Sequence, residues 1–265
     1  MLLPSKGARY AAWALFFALF LPVFGLPLFM VGAASIAGQW NGVLPSHLTL
    51  RHLADAVRSN AGEQLLTSLV TGLSASLIAL VLGTWAALAV RSLRGRAARI
   101  ASVYFLLPIA VPSVSVGLGL LVAFSRPPVL LNGTPYIVLI AHVVLVTAFA
   151  YGSVSAGLAR LPPHYEQVAA SLGGRPGYVL FRVTLPLIMP SLVAAGGLCF
   201  ALSMGELGAT IMVYPPDWVT LPIGIFALTD RGVVFEGAAL TILLLAVTVT
   251  VLLAVTRIRT RASYR

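Results

Sequence analysis

Six long runs of apolar residues constrain this chain more than any other feature of its sequence. They lie near residues 11–36, 65–90, 101–124, 135–155, 187–213 and 236–256. Each is long enough to cross a hydrocarbon core, for which a helix needs about 20 apolar residues. Hydrophobic residues make up 59% of the 265 positions and charged residues only 9%, a balance outside the usual range of soluble domains. The sequence therefore predicts an all-α membrane protein with six transmembrane helices.

The positions of the basic residues predict the orientation of these helices. Thirteen of the 17 lie before the first run, after the second, after the fourth or at the C-terminal end: Lys6, Arg9, Arg91, Arg94, Arg96, Arg99, Arg160, Arg175, Arg182, Arg257, Arg259, Arg261 and Arg265. Because positively charged segments stay in the cytoplasm, both termini are predicted to lie inside. Topology then explains the net charge of +10, and no nucleic-acid partner is expected.

The order of apolar and polar segments predicts four parts in one membrane domain. Residues 1–36 are expected to be a retained anchor helix, because their apolar core exceeds the roughly 7–15 residues of a signal peptide. Residues 37–64 form an outer segment, 65–256 the membrane core with a cytoplasmic loop at 156–186, and 257–265 a basic tail. The chain shows no internal repeat. It is therefore expected to form half of a pathway, with a second copy or a sibling subunit as the other half.

Two outer segments are expected to be more than turns. Thr49 can cap a helix that carries Leu50, Leu53 and Val57 on one face. Between residues 214 and 235, Pro215-Pro216-Asp217 predicts a turn, and the apolar stretch 221–226 follows it. Each segment could be a structural lid or a docking surface for a protein outside the membrane.

The cytoplasmic segment after the fourth run has the pattern of a short amphipathic helix. Its apolar residues recur at i, i+3, i+4 and i+7: Tyr165, Val168, Ala169 and Leu172. Pro163 is tolerated in a first helical turn, and Gly173-Gly174 offers the left-handed residue that ends a helix. We predict a helix with one apolar face that binds a partner protein.

Two ionisable side chains, His142 and Glu206, fall well inside the apolar runs. At about 1.5 Å per residue, both lie near 10 Å below the outer surface, so they could share one layer. Ionisable groups within a membrane are costly and tend to be functional. With Ser203 and Thr210 they are candidates for lining or gating a solute path. A buried hydrogen-bonded pair, or a helix distortion near the glycines of segment 205–208, is the alternative.

The sequence shows no residue pattern that indicates ATP hydrolysis, metal binding or catalysis by this chain. Lys6 is the only lysine, so a phosphate-binding loop that needs a lysine after its glycines cannot form. No histidine pair at helical spacing suggests a metal site, and Cys199 is the only cysteine. We expect a protein that is not an enzyme and has no cofactor. Uphill transport would draw on a separate ATPase or on an ion gradient.

The cytoplasmic loop resembles the EAA loop of inner-membrane permeases of binding-protein-dependent (type I) ATP-binding-cassette importers. That pattern runs Glu-Ala-Ala, three residues, Gly, nine residues, then Ile-x-Leu-Pro. Here nine residues separate Gly173 from Val183-Thr184-Leu185-Pro186. Counting back, the motif glutamate falls on Gln167, and Glu166 stands one place early. Either side chain could therefore contact the ATPase.

Other segments are similar to one branch of this family. Segment 108–112, which opens the third run, and segment 205–210 look like permeases for sulfate, molybdate, iron, thiamine, polyamines or phosphonates. The stretch from 214–218 through 228–232 looks most like 2-aminoethylphosphonate permeases. A permease for another solute of this branch, an assembly or export component, and a gradient-driven carrier are the alternatives.

The resemblance implies a set of partners and a localisation. A cassette ATPase dimer would bind ATP and Mg²⁺, a periplasmic solute-binding protein would deliver the solute, and a second permease subunit would complete the path in the lipid of a bacterial inner membrane. The residues implied to couple to the ATPase are Tyr165, Glu166, Gln167, Val168, Ala169, Ala170, Leu172, Gly173, Arg175 and Pro186.

Overall fold

A computed structural model describes residues 6–42, 45–58 and 60–257 of the chain. The α-helices in chain order are α1 Lys6–Phe20, α2 Leu26–Ser35, α3 Arg51–Arg58, α4 Ala61–Ser92, α5 Gly95–Ala110, α6 Ser113–Ala123, α7 Pro135–Ala159, α8 His164–Ser171, α9 Pro176–Val179, α10 Leu185–Leu187, α11 Met189–Met204, α12 Thr210–Val213, α13 Leu221–Asp230 and α14 Val234–Thr256. Two π-helical turns, Leu21–Gly25 and Leu180–Thr184, join α1 to α2 and α9 to α10. Most of the predicted tail lies outside the described residues.

Four segments of the described chain are long and apolar enough to span a membrane, or six if each of two bent helix pairs is one span. The four are Lys6–Ser35, Ala61–Ser92, Pro135–Ala159 and Val234–Thr256. They match the first, second, fourth and sixth predicted runs to within a few residues. The helical fold is therefore as predicted, and the six-span count is compatible with it.

The third predicted span is not continuous. Helices α5 and α6 meet at an angle of 100°, with Val111 in extended conformation between them (φ −96°, ψ 130°). Pro112 causes this break, because a proline disfavours helical geometry in the residue before it. Segment 108–112 therefore lies at a bend in the middle of the span, and the expectation that it opens the span is wrong.

The fifth predicted span, 187–213, is also interrupted. The segment Pro176–Leu187 meets α11 at 67°. At its other end α11 stops at Met204, and five residues without regular helix separate it from α12. Gly205 and Gly208 lie in this gap, where glycine lowers the cost of leaving the helix.

The chain divides into two units. One consists of the described residues up to Gly62 together with Gly224–Leu245. None of the residues Lys6–Phe20 is buried, which fits a helix that is apolar all round and surrounded by lipid. After α2, two three-residue strands pair antiparallel, β1 (Ala37–Gln39) and β2 (Ser46–Leu48). The sequence analysis did not anticipate this ribbon.

Helix α3 follows the ribbon within the same unit. Its first backbone N–H, that of Arg51, donates to the hydroxyl of Thr49 over 3.1 Å. This contact confirms the predicted cap, which satisfies an N–H that the helix itself leaves without a partner.

The second unit, which holds the candidate sites, is Glu63–Ile223 with the described residues from Ala246 onward. Helix α7 is its centre and buries residues along its whole length. Small residues allow close packing: a Cβ added to Gly83 of α4 would lie 2.7 Å from Ala150, and one on Gly157 would lie 2.6 Å from Cβ of Ser191. Such contacts between small residues are typical of helices that pack in lipid.

Candidate functional site

The predicted amphipathic helix is α8, and its ends are formed as the sequence indicates. Pro163 precedes its first residue. Gly173 has φ +86°, a left-handed conformation. The N–H of Gly173 donates to the carbonyl of Ala170 and that of Gly174 to the carbonyl of Ala169, both over 3.0 Å. These bonds satisfy carbonyls that the helix end would otherwise leave unpaired.

The predicted apolar stripe of α8 is largely exposed. Tyr165 is 37% exposed, Val168 56% and Leu172 83%, whereas Ala169 is half-buried. Gln167 and Ala170 are exposed as well, as are Arg175 and Pro186 in the following segment. Apolar side chains at this level of exposure form a surface suited to contact with a partner.

Glu166 has different surroundings from Gln167. The guanidinium of Arg91 donates two hydrogen bonds to its carboxylate, Nη1 to Oε1 at 2.9 Å and Nη2 to Oε2 at 3.0 Å. The hydroxyl of Thr184 donates to the same Oε1 at 2.7 Å. Arg91 is in the last turn of α4 and Thr184 ends the second π-helical turn. One carboxylate therefore joins its own helix α8 to two other segments of the chain.

These contacts also set the charge of Glu166. Its partial burial acts to raise the pKa, but the hydrogen bonds from Arg91 and Thr184 and the charge of Arg91 outweigh it. The pKa of the carboxyl is lowered below its usual value. Glu166 is therefore an anion at neutral pH, as a two-pronged arginine pair requires.

An open groove of about 480 Å³ runs beside α8. Its walls include Pro163 and Ala170 on the α8 side, and Pro176, Val179 and Thr184 on the other. The groove and the exposed stripe together give the predicted cytoplasmic loop an irregular surface with apolar and polar parts.

The second candidate site lies where α7, α11 and α12 meet. The His142 ring bonds two hydroxyls, Nδ1 with Ser203 Oγ at 2.6 Å and Nε2 with Thr210 Oγ1 at 2.9 Å. All three side chains are buried. A neutral imidazole has one donor and one acceptor nitrogen, and hydroxyls can match either. The ring therefore joins three helices, and three of the four predicted path residues do come together.

The fourth residue, Glu206, lies in the break between α11 and α12. Its Oε1 accepts a hydrogen bond from the N–H of Ala209 at 2.7 Å, so the side chain caps the helical turn that follows. It is half-buried and faces a cavity of about 210 Å³, whose wall also includes His142. Glu206 thus shares a cavity with His142, while the ring nitrogens bond other residues.

The two helix breaks lie side by side at this cavity. Val111 and Ser113, from the break between α5 and α6, line it together with Glu206. A Cβ on Gly117 of α6 would lie 2.6 Å from the carbonyl oxygen of Ala209. Broken helices that face one another within a membrane are a common way to build a solute or ion path.

The family model described as the binding-protein-dependent transport system inner membrane component matches residues 79–263. The chain belongs to this family. It is therefore a multi-pass inner-membrane transport subunit and not an enzyme, as predicted.

This chain is similar to two permeases in sequence and to one solved structure in fold. The 2-aminoethylphosphonate transport system permease protein PhnV of Salmonella paratyphi A is 51% identical over 261 residues, which cover 98% of each chain. The molybdenum transport system permease protein ModB of Mycobacterium bovis is 37% identical over 206 residues, which cover 72% of this chain and 77% of ModB. A chain of the bacterial alginate ABC transporter, solved with an alginate pentasaccharide-bound periplasmic protein, matches with a TM-score of 0.72 at 18% identity, covering 98% of this chain and 97% of the other. The last likeness confirms the importer permease fold.

The sequence pattern did not identify the two partners of Glu166. Arg91 was considered only as one of many basic residues that set the topology, and Thr184 only as a position in the Val-Thr-Leu-Pro pattern. One signal was available, because Glu166 is the only acidic residue on the predicted cytoplasmic side of this permease. A lone carboxylate among so many cations is expected to pair with one of them.

Proposed function

We propose that this permease carries 2-aminoethylphosphonate, or a closely related phosphonate, across the inner membrane as part of an ATP-driven importer. The observation that supports the substrate is the 51% identity to the 2-aminoethylphosphonate permease PhnV over 98% of both chains. The more distant molybdenum permease shares only 37% identity. Other solutes of this branch, such as sulfate, molybdate, iron, thiamine and polyamines, are therefore competing outcomes of the test.

The exposed face of α8 would receive a cassette ATPase subunit. Tyr165, Val168 and Leu172 supply apolar contact area, and the left-handed Gly173 holds the helix end in place. The fifth span begins a few residues later, so movement of α8 would reach it through the segment from Arg175 to Pro186. A second permease subunit would complete the path, and a periplasmic binding protein would deliver the solute.

The cavity between the two helix breaks is the proposed part of the translocation path. Glu206 is the acidic side chain there, and it lies in a break that can change shape more easily than a continuous helix. His142, Ser203 and Thr210 would hold the surrounding helices in register. In this proposal His142 positions the path and Glu206 lines it.

Uptake measurements on the reconstituted transporter would test the substrate. Proteoliposomes containing this permease, its ATPase and its binding protein would be supplied in turn with 2-aminoethylphosphonate, phosphate, sulfate, molybdate and putrescine. We expect uptake of 2-aminoethylphosphonate alone or well above the others. Uptake of another compound with none of the phosphonate would discard the substrate and leave the permease function intact.

A further inference from the structure

We infer that Glu166 is an internal clamp that fastens α8 to the ends of two spans, and that Gln167 is the neighbouring residue that faces the ATPase. This inference rests on the proposed coupling function. It answers the question left open by the motif, where Gln167 stands in the register of the glutamate and Glu166 precedes it.

The first half of the clamp joins residues that are 75 positions apart in the chain. The planar guanidinium of Arg91 meets both carboxylate oxygens, an arrangement that fixes direction as well as distance. Lysine could not provide it, because an ammonium is a point charge without a fork. The side chains of Arg91 and Glu166 are 32% and 26% exposed, so the pair is partly shielded from solvent.

The second half of the clamp joins Glu166 to Thr184, which is only 3% exposed. Thr184 ends a π-helical turn, and such turns insert one extra residue into a helix and re-aim the side chains around it. Four residues later the segment bends at Ile188 into α11. A movement of α8 would therefore be transmitted to the start of the fifth span through Thr184 and to the end of the second span through Arg91.

Gln167 and Glu166 point in different directions because adjacent residues on a helix are about 100° apart. Glu166 is half-buried against α4 and the π-helical turn, whereas Gln167 is exposed. With Glu166 already bonded by a guanidinium and a hydroxyl, its carboxylate has little capacity left for a partner. The neutral Gln167 can both donate and accept hydrogen bonds at the surface.

The clamp is tested by the ratio of ATP hydrolysed to solute transported in the complete transporter. Glu166→Gln keeps the shape of the side chain and removes the charge that holds Arg91. We expect the ATPase to copurify with this variant as with wild type, while the ratio rises about fivefold or more, the size typical of lost coupling between sites. The exchanged pair Arg91→Glu with Glu166→Arg is expected to restore much of the coupling. A wild-type ratio in Glu166→Gln, or no recovery in the exchanged pair, would overturn the clamp.

Two controls separate the clamp from general damage. Arg94→Glu reverses a neighbouring exposed charge at the same end of the membrane and is expected to leave the ratio unchanged. Thr184→Val, which keeps the size of the side chain, is expected to raise the ratio less than Glu166→Gln, because it removes one hydrogen bond of three. An Arg94→Glu effect as large as that of Glu166→Gln would indicate a bulk electrostatic cause and contradict the clamp.

The assignment of Gln167 is tested without any solute. The only native cysteine, Cys199, is buried, so a Gln167→Cys variant would carry the reactive thiol. We expect maleimide to label it in the isolated permease and the bound ATPase to protect it. Labelling that the ATPase leaves unchanged would overturn this half of the inference. Loss of ATPase copurification in Glu166→Gln would instead place Glu166 at the interface. Failure of the substrate proposal would affect neither the maleimide labelling nor the copurification of the ATPase.

Discussion

Glu166 and Glu206, the glutamates of the two candidate sites, are the same type of residue but differ in the contacts that they make. Glu166, on the predicted cytoplasmic side, bonds an arginine and a threonine that lie 75 and 18 positions away. Glu206, within a spanning segment, bonds a backbone N–H only three positions away. The first carboxylate joins separate segments of the fold and the second shapes one local turn. Substitutions at the two should therefore differ in what they disturb.

The largest expected effect comes from Gly117→Val at the paired helix breaks. The added side chain would meet backbone atoms of Ala209, which cannot move aside as a side chain can. We expect a loss of about 1–3 kcal/mol or more in the free energy of unfolding, measured as a lower melting temperature of the detergent-solubilised protein. The matched control is Gly119→Ala in the same helix, where nothing among the described residues lies within 4 Å. Equal melting temperatures for both variants would contradict the close contact between the breaks.

His142→Leu should have the next largest effect. It leaves the buried hydroxyl of Ser203 without its partner, and one unsatisfied polar group costs about 1–3 kcal/mol. The hydroxyl of Thr210 loses the ring but keeps a longer hydrogen bond to the carbonyl of Glu206 at 3.4 Å. The melting temperature should fall clearly, while His164→Leu, at an exposed position of α8, should leave it nearly unchanged. If His142→Leu were as stable as wild type, the ring would not hold the three helices together.

Glu206→Gln removes the carboxylic acid of Glu206 and keeps an oxygen that can cap the helical turn. A glutamine oxygen can still accept the N–H of Ala209, so we expect normal insertion and thermal stability. Solute uptake should fall about tenfold, equivalent to about 1.4 kcal/mol, if the charge lines the path. The same change at Glu236, in the first turn of α14, serves as control and should leave uptake intact. Wild-type uptake in Glu206→Gln would remove Glu206 from the path and leave it as a cap alone.

The smallest expected effect is the pH dependence of the Glu166 clamp. Because folding lowers the pKa of this carboxyl, its contribution to stability is present above the usual value of about 4.3 and is lost as the pH falls through the folded value. The difference in melting temperature between wild type and Glu166→Gln should stay constant from about pH 5 to 8 and shrink in more acidic solution. A difference that shrank instead between pH 6 and 8 would contradict the lowered pKa.

Local signals explain what the sequence could predict. The apolar spacing and the flanking Pro163 and Gly173 gave α8 and its boundaries to within a residue, because every contact that ends the helix is made by neighbours in the chain. The same is true of the cap at Thr49. Composition alone was enough to place most of the spans, since lipid demands long apolar helices.

The sequence did not predict the features that depend on contacts between distant residues, nor one of the helix breaks. The break at Pro112 falls inside an apolar run, and a hydropathy pattern does not show that a run is bent. The distortion near Gly205 and Gly208 was expected only as an alternative to a solute path, and the structure shows it. The partners of His142 lie 61 and 68 positions away, and only packing reveals which hydroxyls the ring selects. The pairing of Glu166 with Arg91 likewise depends on how α4 and α8 approach each other.

Measuring whether uptake requires ATP tests whether this permease is driven by a separate ATPase through α8. Proteoliposomes containing the complete transporter would be given the transported solute with ATP, or with a proton or sodium gradient and no ATP. Uptake should require ATP in wild type and should be lost in Gly173→Val, because a β-branched side chain strongly disfavours the left-handed backbone at this position. Uptake driven by the gradient in the absence of the ATPase, or a fully coupled Gly173→Val, would contradict ATPase coupling through α8.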